Sequence, residues 1–212
     1  MSTVEEGLRE RKKRETRQKI HNTAMELFTE RGFAEVSVLE IAERAGVSKM
    51  TVFNYFPTKE DIVLDVMGEG FNDIAQLVSD RRPGESLVEG ARREFLERLA
   101  RHAPETGLDD SPAYTAQLQL FRKTPSLAAR LLMFHIAAEG AMTEAIERER
   151  PGDPRAPFAA GQLYALLRTL QVQNTRRIHL GQSAEEAHPD AVAAANAGFD
   201  LLRGGLGDYL AG

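Results

Sequence analysis

A chain of 212 residues with 42% hydrophobic and 28% charged side chains is long enough to bury a core as one large domain or two small ones, in the range of ordinary globular proteins. It has no cysteine, which excludes disulfides and thiolate metal sites; with no apolar run near the roughly 20 residues that cross a bilayer and no signal-like N-terminus, the expected location is the cytoplasm. The net charge of -5 is uneven, since seven basic residues against two acidic ones lie between Arg9 and Lys19; this run either draws a polyanion to one end of an otherwise acidic molecule or is simply a solvated helix face.

The first predicted helix runs from about Lys13 to Arg31, with Ile20, Ala24, Leu27 and Phe28 on one face, and Gly32 ends it. A second begins at Ser37, whose S-x-x-E spacing to Glu40 forms a capping box, and Leu39, Ile41, Ala42 and Ala45 supply its apolar positions. Gly46 turns the chain. Ser48 caps a short third helix, Lys49 to Phe56, which Pro57 stops because its ring keeps the preceding residue out of the α region. Thr58 with Asp61 opens a fourth helix, over 59–79, and further helices are expected at 86–102, 112–123, 126–149, 156–180 and 187–203, the last extending past a weak point at Gly204-Gly205. Strand signals are scarce, so the chain reads as all-α.

The helix, glycine turn and short helix between Ser37 and Phe56 carry the functional signal. Two helices joined by a tight corner need small or left-handed residues there, and Ala45-Gly46-Val47-Ser48 provides them. The second helix can then protrude into a DNA major groove, about 12 Å wide, while the first crosses the phosphates. Lys49, Met50, Thr51, Asn54 and Tyr55 fall on its outer face, and Val47, Val52 and Phe56 face inward. A plain helical hairpin inside a core has the same local pattern.

The segment IHNTAMELFTERGFAEVSVLEIAERAGVSKMTVFNYFPTKEDIVLDV resembles the tetracycline-repressor-like (TetR) transcription regulators. Its markers are Ala24, Leu27-Phe28, Gly32-Phe33, Ile41-Ala42, Ala45-Gly46-Val47-Ser48, Thr51, Tyr55-Phe56 and Lys59-Glu60. The resemblance implies an N-terminal three-helix DNA-binding domain, placed at 1–58 with its basic arm, and a C-terminal helical ligand-binding and dimerisation domain at 59–212. It implies phosphate contacts at Ser37, Tyr55 and Lys59 and base-facing positions at Lys49, Met50, Thr51 and Asn54; Arg14 and Arg17, from the basic run, join them as expected DNA contacts. Met50 stands where glycine is commonest in the family, and either meets a thymine methyl or packs on sugar edges. Leu39 and Asn54 also depart from the family pattern, so no operator sequence carries over.

The C-terminal region resembles the family only in being helical and apolar. Leu127, Leu131, Phe134, Ala138, Met142 and Ala145 form one stripe of the 126–149 helix, and His135 lies beside it. In the next helix Leu163, Leu166 and Leu170 form one face, whereas Tyr164, Leu167, Gln171 and Asn174 form a mixed face suited to a pocket wall. The candidate ligand contacts are Tyr114, Gln117, Phe121, His135, Tyr164, Gln171 and Asn174, each of which can equally be a hydrogen-bonded core residue. Leu163, Leu166 and Leu170 with Val192, Ala195, Phe199 and Leu202 are the expected apolar faces of a homodimer, unless they pack within the chain.

No enzyme signature is present: G-x-S-x-G, G-x-x-x-x-G-K and G-x-G-x-x-G are absent, and the five histidines have no metal-binding spacing. His135 and Glu139 share a helix face, which can hold a metal or only a hydrogen bond. The expectation is a non-enzymatic regulator without metal or cofactor. It would repress from a palindromic double-stranded operator as a homodimer and leave it on binding a small apolar molecule, without a membrane partner.

Overall fold

The computed structural model describes residues 7–205, apart from the side chains of 66–75. The described residues form α1 (Leu8–Arg31), α2 (Val38–Ala45), α3 (Lys49–Tyr55), α4 (Lys59–Ser79), α5 (Leu87–Ala100), a 3₁₀ turn (Pro104–Thr106), α6 (Pro112–Lys123), α7 (Pro125–Glu149), α8 (Ala156–His179) and α9 (Ala184–Gly204). The all-α reading holds, with no strand among them.

The element boundaries follow local chemistry. Ser37 accepts a hydrogen bond from the Glu40 amide while the Glu40 carboxylate accepts one from the Ser37 amide, which occupies two amides that α2 itself cannot bond. Gly46 closes α2 in the left-handed conformation, at φ 65° and ψ 37°, a geometry that Cβ disfavours in other residues. Thr58 and Asp61 exchange amide bonds at 3.0 and 3.2 Å at the start of α4.

Two helices begin earlier than the periodicity suggests. α1 starts at Leu8 and takes in the basic run, whose straight-chain Arg, Lys and Glu residues favour helix and whose Arg11 and Glu15 lie 3.6 Å apart one turn on. α9 starts at Ala184 because Ser183 and Glu186 form another capping box, and Pro189 is accommodated within the helix. The expected extension past Gly205 lies outside the described residues.

The chain divides into two compact units, one of Met1–Val66 with Ala116–Leu131 and the other of Met67–Thr115 with Leu132–Gly212. The first is centred on Ile20, Ala24, Phe28, Ile41, Ala45, Val52, Phe56 and Ile62, with Leu120 of α6 and Leu127 of α7 in the same core. Each large side chain here contributes about 1.5–3 kcal/mol by leaving water. In the second unit α9 packs against α5 and α8. Leu163 and Leu170 of α8 and Ala195 and Phe199 of α9 are at most 3% exposed. They are core of their own protomer, which corrects the expectation that they face a second copy; the Phe199 ring instead lies tilted against that of Phe95, with centroids 6.2 Å apart. Gly107 follows the 3₁₀ turn at φ 74°, where an added Cβ would fall 2.3 Å from the Gln171 carbonyl oxygen, so only glycine lets the turn lie against α8.

Candidate functional site

α3 is short, and its orientation comes from its two ends and its inner face. At its start the Ser48 hydroxyl accepts the Thr51 amide at 3.0 Å and meets the Thr51 hydroxyl at 2.8 Å. At its end Phe56 is buried and Pro57 follows. Val52 is fully buried between them, which fixes the rotation of the helix about its axis. What remains outward is Lys49, Met50, Phe53 and Asn54. Met50 is 68% and Phe53 39% exposed, a cost in apolar surface that the fold itself does not repay. Lys49 Nζ lies 5.8 Å from the Phe53 ring centroid, so cation and ring share one patch. Phe53 was not among the expected contacts, although the spacing 49, 50, 53, 54 puts it on that face.

The other expected DNA contacts are placed as follows. Thr51 is half-buried within the cap of α3, and Tyr55 is half-buried against the core of the first unit. Ser37 is exposed at the start of α2, with its hydroxyl in the capping box. Arg14 is exposed on α1, next to Arg9, Arg11, Lys12 and Lys13. Arg17 is occupied: its Nε donates to Asp65 at 2.7 Å, Nη1 donates to the Tyr55 carbonyl at 3.4 Å, and the guanidinium lies 4.7 Å over the Phe56 ring. Lys59 turns inward as well, donating to the carbonyls of Phe33 and Val36 at 2.8 and 3.0 Å, 4.2 Å from the Phe33 ring centroid. Burial pushes its ammonium below the usual 10.5. Arg17 and Lys59 therefore tie α1, α3, α4 and the α1–α2 turn together.

The candidate ligand contacts separate by unit. Gln117 and Phe121 belong to the first: the Gln117 amide donates to the Val63 carbonyl at 2.6 Å, and Phe121 is half-buried against the core. In the second, Tyr114 Oη lies 3.2 Å from the Thr175 hydroxyl and Asn174 Nδ2 donates to the Thr106 carbonyl at 2.9 Å, so both hold neighbouring elements onto α8. His135 Nδ1 and Tyr164 Oη are 2.7 Å apart. Burial, with Arg168 nearby, holds the imidazole pKa below its usual 6.5, and burial raises that of the phenol.

Tyr164 and Gln171 do line a cavity of about 40 Å³, with Leu167 and Arg168 between them on α8. Leu77, Phe95, Arg98 and Glu105 complete its wall. Three of the four residues on the mixed face of α8 thus meet in one place, whereas the fourth, Asn174, holds the 3₁₀ turn. No group of three or more potential His, Cys, Asp or Glu metal ligands occurs among the described residues. No described helix is long and apolar enough to cross a membrane.

Residues 20–66 match the model of the bacterial regulatory proteins of the tetR family. The chain is 32% identical over 143 residues to the HTH-type transcriptional regulator TcmR of Streptomyces glaucescens, taking in 66% of this chain and 62% of that one. It thus spans about three-fifths of the length of that relative. It is 26% identical over 170 residues to the HTH-type transcriptional regulator EthR of Mycobacterium tuberculosis, which takes in 77% of this chain and 74% of that relative. The fold is similar to that of NalD, described as the secondary repressor of the MexAB-OprM multidrug efflux pump in Pseudomonas aeruginosa. The TM-score is 0.55 with 18% identity, over 87% of this chain and 97% of NalD.

Proposed function

We propose that the chain, whose residues 20–66 match the model of the tetR family of bacterial regulatory proteins, is a DNA-binding transcriptional regulator of that family, acting in the cytoplasm as a repressor and not as an enzyme. The observation that carries this reading is the outward face of α3, where Lys49, Met50, Phe53 and Asn54 project from a helix fixed by a buried Val52 and a Ser48 cap. A rigid protruding helix with one cation, one amide and two apolar tips suits a major groove: the amide can bond a base edge, the apolar groups can meet thymine methyls, and the cation can reach a phosphate. The cations at the start of α1 would add attraction to the duplex that falls steeply with salt.

The protein acts as a homodimer, and two dyad-related copies of α3 read a palindromic operator whose half-sites lie about 34–36 Å apart or a multiple of it. A small, largely apolar molecule bound in the second unit releases it, by favouring a form in which the recognition helices no longer match that spacing. The test is selection of bound fragments from genomic DNA with purified protein, followed by affinity measurements over a range of salt. A recovered palindrome bound with a steep salt slope supports the reading; recovery of no preferred sequence overturns it.

A further inference from the structure

We propose that the cavity on α8 takes a small amphipathic anion, a carboxylate on a short apolar body, with Arg168 as the group that selects the charge. This rests on the reading of the second unit as an effector-binding unit and names the chemistry of its ligand.

The apolar end of the site is built by Leu77, Phe95 and Leu167. At about 40 Å³ the closed part has room for only a few waters, each needing roughly 10–15 Å³, and is lined too poorly in polar groups to hold them well. It suits the end of an alkyl chain better than an aromatic ring.

The polar end is set by which of its charged groups are paired. Arg98 is neutralised: its Nε lies 3.0 Å from Glu94 and its Nη1 3.5 Å from Glu105, and the latter carboxylate also meets Arg101 at 4.0 Å. Glu105, the one acidic residue in the wall, is thereby compensated. Arg168 has neither an ion pair nor a hydrogen bond with any described residue, and the side-chain amide of Gln171, one turn further along α8, has none either. Among the described residues the remaining ionisable neighbours are Tyr164 and His135, whose perturbations favour their neutral forms, and Glu139 of α7, whose charge opposes that of Arg168 in its effect on Tyr164 and whose carboxylate lies beside Gly161, two turns before Arg168 on α8. Among the described residues the site therefore offers one cation without an ion-pair partner, Arg168, and one idle amide beside an apolar seat. A guanidinium offers paired donors matched to the two oxygens of a carboxylate, and an amide donor beside it adds a further bond. An alcohol would leave the cation unmatched, and an ammonium would be repelled by it.

The experiment is a heteronuclear NMR titration of the full chain, without DNA, with hexanoate, hexan-1-ol and hexylammonium, which share a tail and differ in charge. Hexanoate is expected to bind about tenfold more tightly than hexan-1-ol, as one charge-assisted contact at a partly wet site allows, with shifts centred on α8 and α5, and hexylammonium least. Arg168→Gln, at an exposed position that leaves the core untouched, should bring hexanoate and hexan-1-ol to equal affinity, and Arg168→Glu should reverse the order in favour of hexylammonium. Equal binding of the three to the unaltered protein, binding of none, or a preference for hexanoate that survives Arg168→Gln would overturn the proposal. The role of the site in regulation is read separately, by adding hexanoate to the operator complex. Binding through Arg168 that leaves the complex intact upholds the anion site and counts against release by this ligand.

Discussion

The side-chain amide of Gln117 on α6 donates to the carbonyl oxygen of Val63 on α4 across 2.6 Å, with Gln117 only 6% exposed. Around it Leu120 and Leu127 join the same core as the helix-turn-helix, and Arg130 of α7 pairs with Asp61 at 2.7 Å. Stretches of α6 and α7 are therefore part of the compact unit that presents α3, and α4, α6 and α7 all continue into the other unit.

Replacing Gln117 with Leu keeps the volume but removes the donor, and should cost about 1–3 kcal/mol, the usual penalty for stripping a buried carbonyl of its partner. Arg130→Ala, which breaks a half-exposed pair, should cost no more than about 1 kcal/mol. Urea unfolding followed by helical circular dichroism measures both; equal losses would show that the buried bond has no special weight.

Lys59 offers a contrast between two roles. Its position in the family pattern implies a phosphate contact, whereas its ammonium is directed at the carbonyls of Phe33 and Val36. Lys59→Met should lower stability by about 1–3 kcal/mol, because two partly buried carbonyls lose a charged donor. It should leave the salt slope of operator binding unchanged. A slope smaller by about one, with stability intact, would instead assign Lys59 to a phosphate.

Acid should weaken the fold through its capping carboxylates. Glu40 is held down to about 2 from the usual 4.5 by the Ser37 amide and then by Arg31, and Glu85 to about 2 by Arg93 and then the Arg82 amide. A carboxyl group whose folded pKa is depressed contributes stability that is fully present above its unfolded value and is lost as the pH falls through the folded one. Stability should therefore decline between about pH 4.5 and 2. Glu40→Gln should flatten the decline in that window; an unchanged profile would mean the capping box does not persist in solution.

What could be read from the sequence and what could not divide by range. Ser37 with Glu40, Thr58 with Asp61 and the turn at Gly46 are bonds or conformations set within four residues, so spacing alone reveals them. Ser183 and Glu186 carry the same spacing, yet the apolar periodicity places the helix only from 187; the cap starts it three residues earlier, and Pro189 is absorbed within it. Gln117, Tyr114 and Asn174 look like ligand contacts in a list of polar residues. Which carbonyl or hydroxyl each meets depends on residues 54, 61 and 68 positions away in the chain, which no local pattern encodes. Phe53 was passed over for the opposite reason: aromatic residues usually belong to cores, and only the helical period places it outside.

Base reading should reside in the four outward residues of α3. With a selected operator in hand, Asn54→Ala should cost about 1–3 kcal/mol and relax preference at one position of each half-site, as the loss of one base contact does. Lys49→Ala should weaken all sequences alike and reduce the salt slope by about one. Wild-type binding by Asn54→Ala and Phe53→Ala together would place the recognition surface elsewhere.

Dimer formation should depend on the faces of α8 and α9 that the protomer leaves uncovered. With Leu163, Leu170, Ala195 and Phe199 spent on the core, the outward residues are Phe158 at 70% and Val172 at 58% exposure on α8, and Leu201 at 40% on α9. Ala165, on the same face of α8, and Ala193 and Ala197, before Leu201 on α9, are small enough for helices of a second copy to approach closely. Exposed apolar side chains of this size are costly in a monomer and gain about 25 cal/mol for each Å² of apolar surface covered. Val172→Asp and Leu201→Asp should therefore shift sedimentation at micromolar concentration from dimer to monomer while helical content and cooperative unfolding persist. Phe199→Asp, at 1% exposure, should instead prevent folding. The pair of outcomes separates interface from core: Phe199→Asp folding normally would mean that α9 is turned about its axis relative to the structure described. An unchanged mass for both Val172→Asp and Leu201→Asp would remove α8 and α9 as the interface, and with them the dyad that sets the half-site spacing.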